Sequence, residues 1–388
     1  MRVAQCLECP IQQHGGTEVL VRELVAGLAA RHEIVLVSGD TAESWRGSVV
    51  APFVREHLPW RVEGADAAQA RDLAETLAAR GVELAHFHFG GTYAWGSRRP
   101  ELAPPFHLRA LGVPCVITNH GVFDVLDGYI GAQRSLLTKL ALLPFAWANR
   151  LRLIARVEAE IAVSGNDYRA LRRRFWPARG KFRQIYHSRI HERDPVVKRT
   201  RTKTVLCAGT VGARKGQPYL ARAFARLAAE FPEWELVFIG RAGDEETTVE
   251  LKARLAQPEL RACARWLPAC PDEELQQWLQ TAEIFAMPSM HEGLGLSLQE
   301  ALYHGAACIA SRIGGIPDLL QHGDNGILVE RANVDELAGR LGWLMRDDAA
   351  RARLQARAHA SVLEKDMTAE RMVARYEELY RAVMERRR

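Results

Sequence analysis

Glu292 and Glu300 stand eight positions apart in HEGLGLSLQE, with Gly293, Leu294, Gly295 and Leu296 between the first carboxylate and a helical pattern. A carboxylate can accept hydrogen bonds from two hydroxyls at once, so this pair could grip a polyhydroxylated ligand. Gly293 and Gly295 free the backbone to pass close to such a ligand. The same letters also describe an ordinary helix start. Ser297 and Glu300 fit S-x-x-E, a capping box that would employ Glu300 structurally and leave Glu292 a surface charge. On spacing alone both readings stand.

A second cluster lies upstream in GTVGARKGQ. Gly209, Thr210, Gly212 and Gly216 surround the adjacent cations Arg214 and Lys215, just before a helix expected to begin near Pro218. Glycines let amides approach an anion, a helix N-terminus favours negative charge, and the two cations add full charges. A diphosphate suits such a loop, although a turn carrying two surface cations is the plainer reading. The pattern is neither G-x-G-x-x-G nor a P-loop, which disfavours a standard dinucleotide or ATP site. His120 ends the apolar run PCVITNH, followed by Gly121. His86 and His88 share one face of AHFHF, with Gly90 and Gly91 next. The two could line a ligand pocket, but a metal pair lacks a third ligand nearby. Cys6 and Cys9 form C-x-x-C with no second pair at metal spacing, so a buried strand end explains them better than a redox or zinc site.

These residues all follow short apolar runs. MRVAQCL, EIVLVSGD, VELAHFHF, PCVITNH and IAVSGND alternate with helical patterns, and TVLCAGT, WELVFIG, EIFAMPS, ACIASRI and NGILVE repeat the arrangement later. Continuous apolar strands between helices predict an α/β fold of two Rossmann-like domains facing each other across a cleft, with ligands at the strand C-terminal ends. The expected division is an N-terminal Rossmann-like domain over 1–190, a linker over 191–203 and a C-terminal Rossmann-like domain over 204–365. The amphipathic helix over 366–388 is expected to cross back to the first domain. With 388 residues the chain is long enough for two cores. Its 48% hydrophobic and 26% charged content describes a globular protein, with no apolar run of membrane-spanning length. Scattered cysteines and the lack of a secretory leader predict a cytoplasmic location.

PSMHEGLGLSLQEAL resembles the E-x7-E signature of retaining glycosyltransferases of family four, which have the two-Rossmann GT-B architecture. GGTE, TNHG, AVSGND, GARKG and IGGIPDLLQHGDNGILV follow that family's order along nearly the whole chain. The resemblance implies that Glu292 contacts donor-sugar hydroxyls, that the amides of Gly293 to Leu296 line sugar and phosphate, and that Glu300 holds the ribose. Arg214 and Lys215 would hold the diphosphate, with Gly209 and Thr210 in the same loop. Gly15 and Gly16 would approach the diphosphate from the first domain, and Gly314 and Gly315 would lie beside the nucleotide. His120 would stand near the donor sugar and acceptor hydroxyl, with His86 and His88 as further acceptor candidates, so that 1–190 would bind the acceptor and 204–365 the nucleotide-sugar donor. Departures from the family pattern are Thr210 for a common Arg, Ser297 for a common Pro, Asp318 for Glu, and YHSRI at 186–190 for N-G-I/V-D.

The implied reaction transfers a sugar from a nucleotide-diphospho-sugar, UDP favoured and GDP possible, to a hydroxyl of a cell-surface glycan or glycolipid precursor. It would retain anomeric configuration by front-face displacement, without a metal or other cofactor, in keeping with the lack of a D-x-D pair. A nucleotide-sugar epimerase of the same architecture and a non-catalytic nucleotide-sugar-binding protein are the alternatives. The basic excess is confined to the first 200 residues, with 27 Lys+Arg against 20 Asp+Glu. Residues 168–191 hold eight Lys and Arg and no acid, interleaved with Phe175, Trp176 and Phe182. LLTKLALLPFAWANRLRLIARV adds Arg150, Arg152 and Arg156 to a dense apolar run. Basic plus aromatic surface would suit an anionic membrane and a lipid-linked acceptor, against a buried helix with a solvated basic face. No nucleic-acid recognition module appears.

Overall fold

The computed structural model describes all residues except 14, 62–65, 90–99, 122–134, 193–199 and 387–388. The chain forms two compact units, Met1–Arg189 with Ala369–Arg388, and Ile190–Thr368.

The first unit is built on seven parallel strands: β1 (Arg2–Leu7), β2 (Glu33–Ser38), β3 (Glu56–Pro59), β4 (Leu84–Phe89), β5 (Cys115–Asn119), β6 (Ala159–Ala162) and β7 (Phe182–Gln184). Their spatial order is β3-β2-β1-β4-β5-β6-β7. Cys115 to Asn119 are buried at every position, as expected where helices cover both faces of a parallel sheet. Phe87, Leu77, Val113, Leu153 and their neighbours form the core on one face. The last helix, Ala369–Glu385, belongs to this unit and buries Tyr376 and Tyr380 completely. Gly27, in the helix Gly16–Leu28, gives it room: a Cβ there would lie 2.5 Å from Val373 Cγ2.

The second unit has six parallel strands: β8 (Thr202–Ala208), β9 (Glu235–Ile239), β10 (Ala264–Leu267), β11 (Ala282–Met287), β12 (Ala307–Ser311) and β13 (Gly326–Val329). Their order is β10-β9-β8-β11-β12-β13. Both units are therefore Rossmann-like. Each sheet reverses its strand order once, between β1 and β4 and between β8 and β11. Loops leaving such neighbours diverge and open a crevice at the strand C-terminal ends.

The segment 191–203, expected as a linker, enters the second unit before its end. Arg201 donates to the carbonyls of Ala282 at 2.5 Å and His304 at 2.6 Å, and β8 begins at Thr202. Strands β3 and β10 escape an apolar-run reading because no residue in either is fully buried. Among the described residues no helix is long and apolar enough to cross a membrane.

Candidate functional site

The loops after β8 and β11 meet at the switch point of the second unit. Arg214 O accepts hydrogen bonds from the backbone N–H of Met290 at 2.8 Å and His291 at 3.3 Å, joining the two loops. Gly216 makes that approach possible. Its φ is +66°, and a Cβ there would stand 2.2 Å from Pro288 O. Two further side chains fix the cationic loop. Gln217 is buried; its amide nitrogen donates to Gly209 O at 3.4 Å and Thr210 O at 3.1 Å, and its Oε1 accepts from Gly212 N at 3.3 Å. Asp244 accepts from Ala213 N at 2.8 Å through one oxygen and caps the helix Glu245–Leu255 through the other.

The joined loops bring Lys215 to Glu292. The ammonium donates to both carboxylate oxygens at 2.9 Å, and the Glu292 side chain is only 9% exposed. An ammonium has three donors, so the pair leaves one for a further acceptor. Arg214 is exposed, and its guanidinium has no partner among the described residues. The helix Leu296–Tyr303 starts beside this pair, with Gly295 as its N-cap. No protein group among the described residues accepts from the N–H of Gly293, Leu294, Gly295 or Leu296. Unpaired helix N-terminal amides, a lysine and an arginine are groups that can hold an anion. Gly314, from the loop after β12, packs on the backbone of Glu292. Gly315 is the residue before the short helix Ile316–Leu319.

The two readings of Glu300 separate here. Ser297 is already inside the helix, and its hydroxyl donates to Ala208 O at 3.1 Å, so it forms no capping box. Glu300 is buried and accepts from Gln276 Nε2 at 3.0 Å. Gln276, in the helix Asp272–Thr281, in turn accepts from His304 Nε2 at 2.8 Å, which holds its amide nitrogen toward the carboxylate.

In the first unit, Gly15 is the N-cap of the helix Gly16–Leu28, and a Cβ on it would meet Glu18 Oε2 at 2.2 Å. Glu18 Oε1 accepts from the Cys9 thiol at 2.8 Å; Cys6 is buried in β1 and unbridged. His86 and His88 lie side by side in the core with 0% and 1% exposure, and both nitrogens of each ring are engaged. Neither offers a free atom to an acceptor, which corrects their reading as pocket-lining residues. Their buried neighbours at β1, β5 and the last helix account for this. His120 is partly exposed, 3.2 Å from His88. Burial lowers its imidazole to about 3, so the ring is neutral. Gly90 and Gly91 lie outside the described residues.

The basic and aromatic surface is smaller than the sequence suggests. Phe175 and Phe182 are core residues, and Arg150 is buried in an ion pair with Glu160. Arg152 pairs with Glu101, and Arg156 lies over the Phe106 ring. Trp176, Leu137 and Phe145 remain exposed. Among the described residues no cluster of His, Cys, Asp and Glu could hold a metal ion.

Gln5, His187, Gln217, Asp244, Gln276, Tyr376 and Tyr380 were not singled out from sequence. Only Asp244, a capping residue ahead of an acidic first turn, had a local signal.

Residues 14–189 match the model described as Glycosyltransferase Family 4, and residues 188–361 match Glycosyl transferases group 1. The chain belongs to the family four glycosyltransferases, with the two Rossmann-like domains of the GT-B class. It is 33% identical over 187 residues to a D-inositol 3-phosphate glycosyltransferase of Corynebacterium jeikeium, covering 46% of this chain and 44% of that protein. It is 31% identical over 150 residues to a GDP-mannose-dependent alpha-(1-6)-phosphatidylinositol monomannoside mannosyltransferase of Mycolicibacterium smegmatis, covering 37% and 38%. The matches thus span less than half the length of these relatives. In fold, it is similar to Anabaena HepE solved with UDP and glucose, with a TM-score of 0.72 at 16% identity over 98% of this chain and 100% of that one. Sucrose-phosphate synthase from Thermosynechococcus elongatus gives 0.74 at 18% identity over 99% and 100%.

Proposed function

We propose that the chain transfers a sugar from a nucleotide-diphospho-sugar to a hydroxyl of a cell-surface glycan or glycolipid precursor, retaining anomeric configuration and using no metal ion or other cofactor. The observation that carries this reading is the Lys215–Glu292 pair set against four unpaired amides. An anion locus and a hydroxyl acceptor stand side by side there, as a sugar diphosphate requires. Arg214, the third donor of Lys215 and the amides of Gly293 to Leu296 take the diphosphate. Glu292 accepts from sugar hydroxyls, and Glu300, aimed by Gln276, accepts from the ribose.

In the reaction, the bond from the anomeric carbon to the diphosphate oxygen breaks as the acceptor oxygen bonds to the same face. The departing oxygen takes the acceptor proton. The protein contributes orientation and stabilisation of charge on the leaving diphosphate, so no enzyme nucleophile is needed. Neutral His120 serves by hydrogen bonding to a substrate hydroxyl. A UDP-sugar is the favoured donor and a GDP-sugar the second choice. UDP occurs in the HepE structures, and GDP-mannose in the name of the mannosyltransferase relative.

A lipid-linked acceptor would bring the first unit to the inner face of a membrane, without nucleic acid as a partner. Exposed Leu137, Phe145 and Trp176, with exposed Arg169, Arg172 and Arg173, support that contact. Flotation with anionic but not neutral vesicles would test it. For the activity, calorimetry over a panel of UDP- and GDP-sugars, followed by nucleotide-release assays with candidate acceptors, is decisive. Binding of one donor with acceptor-dependent release is expected; no binding and no turnover across the panel overturns the proposal.

A further inference from the structure

The buried histidines of the first unit belong to one unbranched chain of hydrogen bonds. Gln5 on β1 stands at its middle. On one side, Gln5 Oε1 lies 2.8 Å from His88 Nε2, and His88 Nδ1 lies 3.2 Å from His120 Nε2. On the other, Gln5 Nε2 donates to Tyr380 Oη at 3.1 Å. From there the chain runs to His86 Nδ1 at 2.6 Å and from His86 Nε2 to Thr118 Oγ1 at 2.7 Å. It continues to Tyr376 Oη at 2.8 Å and His187 Nε2 at 2.7 Å.

Burial holds His86, His88 and His187 well below the usual histidine value, with neighbouring histidines adding to the effect, and holds His120 at about 3. Every ring is therefore neutral and carries a single N–H. That turns the amide of Gln5 into the determinant of direction. Its oxygen can only accept, so His88 carries its proton on Nε2 and presents a bare Nδ1. His120 must then donate from Nε2, which leaves its Nδ1 bare. Toward Tyr380 the amide can only donate, and the contacts beyond are met when Tyr380 donates to His86, His86 to Thr118, Thr118 to Tyr376, and Tyr376 to His187. All contacts are satisfied in one sense. Turning the Gln5 amide over would reverse every donor and place the His120 proton on Nδ1.

We propose that Gln5 sets the tautomer of His120 through His88, so that His120 offers a bare Nδ1 as hydrogen-bond acceptor. Gln5 and His88 are positioning residues. Nδ1 of His120 has no partner among the described residues, and the residue is partly exposed. The group it would take is a hydroxyl donor, such as the nucleophilic or a neighbouring hydroxyl of a polyol or sugar acceptor. This identification of the ligand rests on the proposed function; the tautomer does not.

The test uses the full chain with selectively 15N-labelled histidine. Long-range proton–nitrogen correlation separates bare from protonated ring nitrogens, and the His120→Gln spectrum assigns the His120 signals. Nδ1 bare and Nε2 protonated is the expected wild-type state; the opposite tautomer overturns the proposal without any Gln5 variant. Gln5→Met, of similar length but without the amide, should convert the His120 signals to the opposite tautomer or a mixture of both. An unchanged single tautomer would refute the role of Gln5. Thr118→Val cuts the far arm and should leave His120 as in wild type. If it disturbs His120 as much as Gln5→Met does, the assignment to Gln5 fails. Where transfer is measurable, Gln5→Met should raise KM for the acceptor up to about tenfold, the worth of one neutral hydrogen bond, with the donor KM unchanged. A matching change in donor KM would refute an acceptor-side role for His120, while the spectra still decide the tautomer.

Discussion

Gly314→Ala tests whether the geometry at Glu292 is set by backbone contact. Gly314 has φ +48°, and a Cβ there would stand 1.8 Å from Glu292 O and 3.0 Å from its carbonyl carbon. A carbon and a carbonyl oxygen tolerate about 3.3 Å, so the alanine must push the two backbones apart by about 1.5 Å. Left-handed backbone costs an alanine a further ~1–2 kcal/mol. Gly323→Ala separates these effects, because Gly323 has φ +83° with nothing within 4 Å of its Cβ position. For domains of this size about 2–4 °C of Tm is lost per kcal/mol, so Gly323→Ala should lose about 2–8 °C and Gly314→Ala more. The larger difference should be functional. A misplacement of about 1 Å at a reacting group can cost ~100-fold, so Gly314→Ala should lower kcat/KM for the donor by about that factor while Gly323→Ala leaves it near wild type. Melting curves and steady-state nucleotide release read both quantities. If the two variants match in melting and in turnover, the Gly314 contact does not position Glu292, and the reasoning is wrong.

Lys215→Met removes both bonds to Glu292 and one phosphate donor; kcat/KM should fall by about 10²–10³-fold, and a loss under tenfold would make the lysine a bystander. Gln217→Ala strips Gly212 N of its acceptor and two carbonyls of their donor. Urea unfolding should register a loss of about 1–3 kcal/mol, and no change would show that the loop holds itself. Acid should destabilise the first unit. Buried His86, His88 and His187 and the partly exposed His120 are held below their unfolded value near 6.5, so unfolding takes up protons as pH falls. Their contribution is complete above about pH 6.5 and is lost on the way down, each ring adding a slope of up to ~1.4 kcal/mol per pH unit until its folded value is reached. Urea midpoints at pH 7.5 and 5 should therefore diverge, and equal midpoints would refute the linkage.

The alternation of strands and helices was legible because parallel strands buried on both faces read as unbroken apolar runs. β8, β9, β11, β12 and β13 each stand out in the sequence for that reason. β3 and β10 are half-exposed edge strands, and that signal is missing from them. The placing of Arg214 and Lys215 on a glycine-bearing loop before a helix was legible as well, because these residues are neighbours in the sequence. The histidines show where such reading stops. Spacing places His86 and His88 on one face of β4, but whether that face meets solvent depends on Tyr376 and Tyr380, which return from the other end of the chain.

Glu300 shows the same dependence at a single carboxylate. S-x-x-E is a local pattern, and a local cap would have answered it if Ser297 were the N-cap. The N-cap is Gly295, two residues earlier, with φ +96°, and Leu296 opens the first turn. Ser297 then faces Ala208 on β8, and its hydroxyl is consumed by a carbonyl 89 positions away. Without a capping partner, the direction of the Glu300 carboxylate is set by Gln276, 24 positions upstream, whose own amide is oriented by His304. A carboxylate aimed by Gln276 on a second helix is held in a way that a capping carboxylate, tied only to its own first turn, is not. Replacing Gln276 by Leu should therefore weaken nucleotide binding while Glu300 itself is intact. Ser297→Ala should leave that binding nearly unchanged, since it deletes a bond to the sheet rather than one to the carboxylate.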